Sequence, residues 1–281
     1  MAGSELYEQF MALHTRDGGL VMPNAWDGLS ALMLADAGFE AIATSSAAIA
    51  ATLGRLDGRH QVTREEHLEH ARLLGRLTGL PVNGDFEDGY GDTPEDVAAT
   101  VEAAVESGLA GIGVEDTSGD PDMPIRDFDE AVSRVRSAVD ASKGRIVVTG
   151  RTDNFIQGRP DLDDTIRRLT AFAEVGADVV YAPFPPDRDA LVAIVTAVAP
   201  TPVNVLVSPS DKVLTVAELQ QAGVKRISLG PLLYAHAMGA VEEAAKALLA
   251  GDLASATTGM NFARVNELLA AARTNPISTN H

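Results

Sequence analysis

Eight short apolar runs recur along this chain with room for a helix after each. That alternation restricts the fold more than any other feature of the sequence. The runs occupy residues 20–23, 41–44, 81–85, 111–115, 145–150, 178–182, 202–206 and 226–230. They are largely apolar without polar alternation, as expected of parallel strands buried on both faces. Helix-start signals lie between them. Thr63-x-x-Glu66 and Thr215-x-x-Glu218 read as capping boxes, and Thr93-Pro94-Glu95-Asp96 offers an N-cap, a proline at N1 and early acids. Helical segments close on Gly38, Gly108, Gly176 and Gly223, the usual terminating residue. The fold class predicted is α/β, a closed (β/α)8 barrel of TIM type rather than an open doubly wound sheet. No G-x-G-x-x-G or G-x-x-x-x-G-K-[ST] motif supports a nucleotide fold. The 281 residues suit a single barrel domain over 1–281, with no linker dividing it. A C-terminal helical extension, about 250–281, contains an extra helix at 260–273 and a polar tail.

Charge and composition exclude several function classes. The net charge of −18 argues against nucleic acid, whose binding needs clustered Lys and Arg. No apolar stretch reaches membrane-spanning length, so no membrane partner is expected, and the first residues lack a secretory signal. There is no cysteine, hence no disulfide, thiolate metal site or cysteine acid. A cytoplasmic protein is the simplest expectation.

In such a barrel the active site forms at the carboxyl ends of the strands. There the chain places Asn24 to Asp27, Thr44 to Ser46, Asp85 and Glu87, Glu115 and Asp116, Arg151 with Asp153 and Asn154, and Asn204 followed by Ser208. The sixth strand end, Ala182-Pro183-Phe184-Pro185-Pro186, offers no ionisable group. The densest cluster is Asp85-Phe86-Glu87-Asp88, whose three carboxylates repel one another unless a cation or a proton intervenes. Hard oxygen ligands suit Mg²⁺, with Mn²⁺ as the alternative ion. Asp85, Glu87 and Glu115 are the candidate metal acids, directly or through water. Asp85 and Glu87 alone would read equally well as a helix cap; Glu115 and Arg151 at neighbouring strand ends favour a site. Arg151 is suited to bidentate binding of a carboxylate, with Ser45 and Ser46 as further hydrogen-bonding groups. A metal beside an arginine points to a 2-oxo acid and Lewis-acid assistance to a developing enolate. Asn204 faces the substrate but reads more readily as structural, and Trp26 as a packing residue beside the site. His14, His67, His70 and His281 read as surface residues, while His60 and His236 are candidates for the mouth.

These segments together resemble the isocitrate lyase/phosphoenolpyruvate mutase superfamily. The resemblance is carried by Pro23-Asn24-Ala25-Trp26-Asp27, Ala43-Thr44-Ser45-Ser46, Leu53-Gly54-Arg55-Leu56-Asp57, Asp85-Phe86-Glu87-Asp88-Gly89-Tyr90-Gly91, Gly113-Val114-Glu115-Asp116, Gly150-Arg151-Thr152-Asp153 and Gly176-Ala177-Asp178, and runs to about Leu249. It implies a Mg²⁺-dependent barrel enzyme acting on small 2-oxo or 2-hydroxy carboxylates. By position it makes Asp85, Glu87 and Glu115 metal-site acids, Ser45 and Ser46 carboxylate holders, Asp57 a site aspartate and Arg151 a substrate arginine. It also implies a homodimer or homotetramer that swaps the last barrel helix between subunits.

The departures narrow the chemistry. Glu87 stands where many members have Asp. The Lys-Cys-Gly-His loop of the isocitrate and methylisocitrate lyases is replaced by Thr117-Ser118-Gly119-Asp120-Pro121-Asp122-Met123-Pro124-Ile125-Arg126. The cations of the phosphonate-processing branch are missing too, with Pro183 where that branch has a histidine. Arg126 is expected to face solvent from a mobile lid over 117–127. The expectation is a carbon–carbon lyase, by oxaloacetate-like decarboxylation or retro-aldol cleavage, with Tyr90, His60 or water returning the proton. Asp57 or Glu115 would orient water or take the substrate proton. Phosphorus–carbon chemistry, as in a mutase or phosphonopyruvate hydrolase, is the alternative. A non-catalytic barrel that binds 2-oxo acids is the reading from another class.

Overall fold

The computed structural model describes residues 2–206 and 214–273. Ser208, His281 and the polar tail lie outside the described residues. Eight parallel strands, β1 (Leu20–Met22), β2 (Ile42–Ala43), β3 (Val82–Asp85), β4 (Gly111–Glu115), β5 (Val147–Arg151), β6 (Val179–Tyr181), β7 (Val203–Leu206) and β8 (Arg226–Ser228), form one sheet in the order β1-β8-β7-β6-β5-β4-β3-β2. The β1–β2 seam nearly closes it through an isolated parallel bridge, Asn24 to Ala43. There the Ala43 N–H donates to the Pro23 carbonyl (2.9 Å) and the Ala25 N–H to the Ala43 carbonyl (2.8 Å). Asn24 locks the seam further. Its amide donates to the Thr44 carbonyl, and its Oδ1 accepts from the N–H groups of Leu229 and Gly230 (3.0 and 2.8 Å). The expected (β/α)8 barrel is therefore the fold, with β4 at the expected residues and the other strands trimmed or shifted by a residue or two at their ends.

Helices α1 (Ala2–Thr15), α2 (Gly28–Asp36), α3 (Ser46–Thr52), α4 (Arg64–Thr78), α5 (Pro94–Glu106), α6 (Phe128–Ser142), α7 (Leu162–Glu174), α8 (Arg188–Val198), α9 (Val216–Gln221), α10 (Leu232–Leu249) and α11 (Phe262–Arg273) accompany the strands. The capping signals are used as expected. Thr63 and Glu66 close a reciprocal box on α4, Thr215 and Glu218 one on α9, and Thr93 and Asp96 one on α5 with Pro94 in its first turn. Gly176 ends α7 at a φ of 101°, a left-handed conformation that a side chain would strain.

The core between strands and helices is aliphatic and aromatic, with Ile42, Val82, Ile112 and Val148 on one side and Phe172, Val180 and Ile194 on another. The barrel interior departs from the sequence expectation. Its inward face carries Asn83, Thr149, Asn204, Arg226 and Ser228, all buried and all polar. The strands alternate after all, between an apolar outer face and a mixed inner one, on which Leu20, Met22, Val147 and Val179 pack against Phe10 while the polar residues border the cavity.

Two histidines also depart from expectation. His14 and His67 are 0% and 2% exposed. The cause for His14 is α1, which packs Phe10 and His14 against the bottom of the barrel instead of lying on its surface. His67 is turned inward by α4 against the rings of Phe86 and Tyr90.

Past β8 the chain builds α10, in which no residue is fully buried; Val241 is 60% and Leu249 92% exposed. The extra helix α11 folds back onto α2, burying Leu268 and Ala272 beside Leu32. No helix among the described residues is long and apolar enough to cross a membrane.

Candidate active site

The strand ends enclose a cavity of about 460 Å³ at the carboxyl-terminal mouth of the barrel. Asp85 and Glu115 from β3 and β4, Arg151 from β5, Ser45 and Ser46 at the start of α3, and Asp57 from the following loop all border it. Asn204 lies deeper. Most of the residues singled out from sequence thus meet in one place.

Arg151 is aimed by an acid relay. Asp153 takes its Nε and Nη2 in a bidentate clasp (2.5 and 2.8 Å), which leaves Nη1 directed at Glu115 (3.0 Å) and Asp85 (3.6 Å). Asp153 is itself positioned through its N–H, which donates to Asp116 (2.9 Å). Asp116 in turn pairs with the buried Arg168 (3.2 Å). Asp85 is held at the end of β3 by the Ser46 N–H and hydroxyl, each 2.9 Å from its Oδ2, while its own N–H donates to the Thr44 hydroxyl (2.8 Å). Ser45 caps α3, its hydroxyl accepting from the Ala48 N–H. Below Asp85 the backbone is packed tightly at Gly84, where a Cβ would fall 2.1 Å from the Phe86 ring.

The acids are crowded electrostatically. Burial holds the Glu115 carboxyl well above the usual carboxylate range, against the opposing pull of Arg151. Asp57 is also raised, first by burial and then by the negative charge of Asp85. Glu87, behind the cavity wall at a φ of 50°, is pushed up to about 7, chiefly by burial; the His60 N–H opposes the shift.

Three predicted site residues do not reach the cavity wall. Glu87 is 5% exposed and contacts the His60 backbone rather than the mouth. Tyr90, offered as a proton donor, spends its hydroxyl on the Val62 carbonyl (2.9 Å), and its ring lies among His60, His67 and Phe86. Trp26 packs edge-on against Tyr234, with its carbonyl accepting from His70. His60 pairs with Asp88 (2.8 Å) outside the cavity, and His236 is exposed on α10. Arg126, expected in solvent, is 11% exposed instead. It bridges Asp88 (2.8 Å) and Glu130 and donates to the Thr117 carbonyl, pinning the base of the 117–127 loop behind the site. That loop lends Thr117, Gly119, Asp120, Pro121 and Pro124 to the cavity rim.

Reading only strand ends missed the inner wall one step lower. Thr149, Tyr181, Arg226 and Ser228 all border the cavity. Tyr181 gives β6 an ionisable group after all, under the Arg151 guanidinium (5.2 Å to the ring centre). The missed signal was the period-two alternation within each short run.

Asp85, Glu87 and Glu115 do not converge as three direct ligands. Among the described residues no three His, Asp or Glu side chains gather closely enough for that. Magnesium keeps several waters and commonly takes only one or two carboxylates, so a preformed cage is not required. Asp85 and Glu115 both face the cavity, and their carboxylate oxygens are the hard donors such an ion takes. The residues present fit a largely hydrated Mg²⁺.

Fold and cavity together define a class: a (β/α)8 barrel with an acid-and-arginine site at its carboxyl-terminal mouth. The phosphoenolpyruvate phosphomutase family model matches residues 10–249, and the chain belongs to that family, within the isocitrate lyase/phosphoenolpyruvate mutase superfamily. The chain is 34% identical over 245 residues to an uncharacterized protein of Mycobacterium tuberculosis, covering 86% of this chain and 90% of that one. It is 30% identical over 250 residues to an oxaloacetate decarboxylase of Paraburkholderia xenovorans, covering 85% and 80%. A crystal structure of a provisionally assigned lyase/mutase from Burkholderia cenocepacia superposes with a TM-score of 0.91 at 39% identity, covering 98% of both chains.

Proposed function

We propose that this protein is a Mg²⁺-dependent carbon–carbon lyase acting on a small 2-oxo or 2-hydroxy carboxylate, with oxaloacetate-like decarboxylation or retro-aldol cleavage as its chemistry. The supporting observation is the arrangement at Arg151. Asp153 fixes the guanidinium so that Nη1 faces the cavity beside Asp85 and Glu115, while the rim loop brings no cysteine, lysine or histidine. The similarity to an oxaloacetate decarboxylase agrees with this reading.

Asp85 and Glu115 are the residues that would hold the ion, with Asp57 on the cavity border and Glu87 behind the wall. When bound, Mg²⁺ supplies Lewis acidity toward the carboxylate and carbonyl oxygens of a 2-oxo acid. Arg151 binds the substrate carboxylate from the cavity wall, with Asp153 fixing the guanidinium plane and Glu115 and Asp85 sharing Nη1. Ser45, whose hydroxyl only accepts from the Ala48 N–H, keeps its proton for the substrate, whereas the Ser46 hydroxyl is spent on Asp85. Asp57 borders the cavity, where burial and the charge of Asp85 raise its pKa, and its position makes it the candidate to orient water or take the substrate proton. Thr117, Pro121 and Pro124 limit the entry of bulk water. Asn204 is committed to Ser228 and Arg226 and acts as scaffold.

The exposed apolar side chains of α10 support a homodimer or homotetramer in which that helix packs on a partner subunit. The test of function is turnover of oxaloacetate, 2-methylisocitrate and phosphonopyruvate with Mg²⁺ and with EDTA. Metal-dependent pyruvate release from oxaloacetate or 2-methylisocitrate supports the proposal. Phosphate release from phosphonopyruvate alone would move the assignment to phosphorus–carbon chemistry, and no turnover of any acid would leave a binding protein.

A further inference from the structure

Arg226 opens β8 facing the inside of the barrel, where it borders the cavity and is 2% exposed. Arginine is rarely this buried without a carboxylate against it, because an uncompensated interior charge is costly. Among the described residues Arg226 has none. Its Nε donates to Asn204 Oδ1 (3.0 Å), Nη2 to Thr149 Oγ1 (3.0 Å), and Nη1 faces His14 Nε2 (3.3 Å). All three partners are neutral. His14 is kept so by burial and by the arginine itself, which push it down to about 3. Its Nδ1 faces the Phe10 carbonyl (2.8 Å), which leaves Nε2 as the acceptor. A guanidinium has five N–H donors in one plane, and these contacts use three of them.

Arg151 is the opposite case, with three carboxylates within 3.6 Å. The mouth of the cavity therefore collects acids, while its floor holds one cation surrounded only by dipoles. Bracing alone does not call for a charge, since a neutral amide would satisfy the same acceptors. The two arginines are also in line. Arg226, Asn204, Tyr181 and Arg151 are successive register partners across β8 to β5, and the Arg226 guanidinium reaches Thr149, two residues before Arg151. Two residues along a strand span roughly 7 Å, which sets the two guanidinium groups at successive levels of one cavity wall.

We infer that Arg226 is an anion anchor on the cavity floor, taking the far carboxylate of a dianionic acid whose other carboxylate is held at the mouth by Arg151. This rests on the reading of the cavity as a carboxylate site and deepens it: the substrates are dicarboxylates, not monocarboxylates. Asn204, Thr149 and His14 hold the guanidinium plane in place without neutralising it, which is the preorganisation such an anchor needs.

The test compares succinate with butyrate, and malonate with propionate, by titration calorimetry in saturating Mg²⁺ on the full-length protein, Arg226→Met and Arg226→Lys. The wild-type protein should prefer each dicarboxylate by at least about tenfold, the usual effect of a charge-assisted contact. Arg226→Met should lose most of that preference while binding the monocarboxylates as before, and Arg226→Lys should keep part of it. A crystal of the unaltered protein soaked in succinate supplies an arm that needs no variant. A carboxylate about 3 Å from the guanidinium supports the anchor, and succinate bound with both ends elsewhere overturns it. Equal affinity for mono- and dicarboxylates in the wild type, or an undiminished preference in a folded Arg226→Met, also overturns it. If the preference is present but no acid is turned over, the lyase proposal fails and the anchor stands. If acids are cleaved without the preference, only the anchor fails.

Discussion

Replacing Asp153 with asparagine isolates the device that aims Arg151. The wild-type carboxylate accepts both Nε and Nη2, at 2.5 and 2.8 Å, and its side chain is 3% exposed. Asparagine keeps one carbonyl acceptor and turns an amide N–H toward the guanidinium, so one charge-assisted bond is lost and one repulsive contact appears. A bond to a charged group contributes about 1.5–3 kcal/mol, and breaking a buried pair costs about 3–5 kcal/mol. Arg151 retains Glu115 and Asp85, which places the expected loss near the lower figure, about 3 kcal/mol. For a domain of this size that corresponds to a fall in Tm of roughly 5 °C. Differential scanning calorimetry of both proteins in EDTA reads it directly. A companion turnover assay should show kcat/KM reduced by at least about tenfold, because the loosened guanidinium no longer presents Nη1 alone to the cavity. A shift under about 2 °C together with unchanged kcat/KM would refute the relay from Arg168 through Asp116 and Asp153 to Arg151.

Further outcomes follow from other parts of the structure. Glu87 holds its proton up to about pH 7 in the folded chain but only to about 4.5 when unfolded, so metal-free stability should decline as pH rises between those values. Glu87→Gln should flatten that decline and gain up to about 3 kcal/mol at pH 8 by urea titration; an unaltered slope counts against the buried acid. Arg126→Ala removes the clasp on Asp88 and should free the 117–127 loop, raising KM more than it lowers kcat and speeding proteolysis there. Gly84→Ala forces a methyl into the Phe86 ring and Leu109 and should cost about 1–3 kcal/mol or more in urea unfolding. Val241→Glu on the exposed face of α10 should shift sedimentation toward the monomer.

The barrel was legible because each short run has parallel-strand composition and each helix carries its own start and stop signals, as Thr63, Thr93, Thr215 and Gly176 show. The mouth of the site was legible for a related reason: strand ends are fixed points in this fold, and Asp85, Glu115 and Arg151 occupy them. What escaped depends on side-chain direction. Tyr90 and Glu87 follow the strand end by a few residues, yet both have positive φ, which turns them away from the cavity. Tyr181 closes β6 and Arg226 opens β8, and both point inward with the pleat. His14 looked like a surface residue because nothing local reveals that α1 plugs the barrel floor. Arg126 met Asp88 only through a contact 38 residues apart in sequence.

The central claim is that Asp85 anchors a metal-dependent carbon–carbon cleavage. Pyruvate formation from oxaloacetate, followed by NMR against an enzyme-free Mg²⁺ blank, tests it most directly. The wild-type protein should exceed the blank, EDTA should abolish the excess, and Asp85→Ala should lower it by at least about 100-fold. Asp85→Ala that cleaves oxaloacetate at the wild-type rate, or a wild-type rate indifferent to EDTA, would contradict the account.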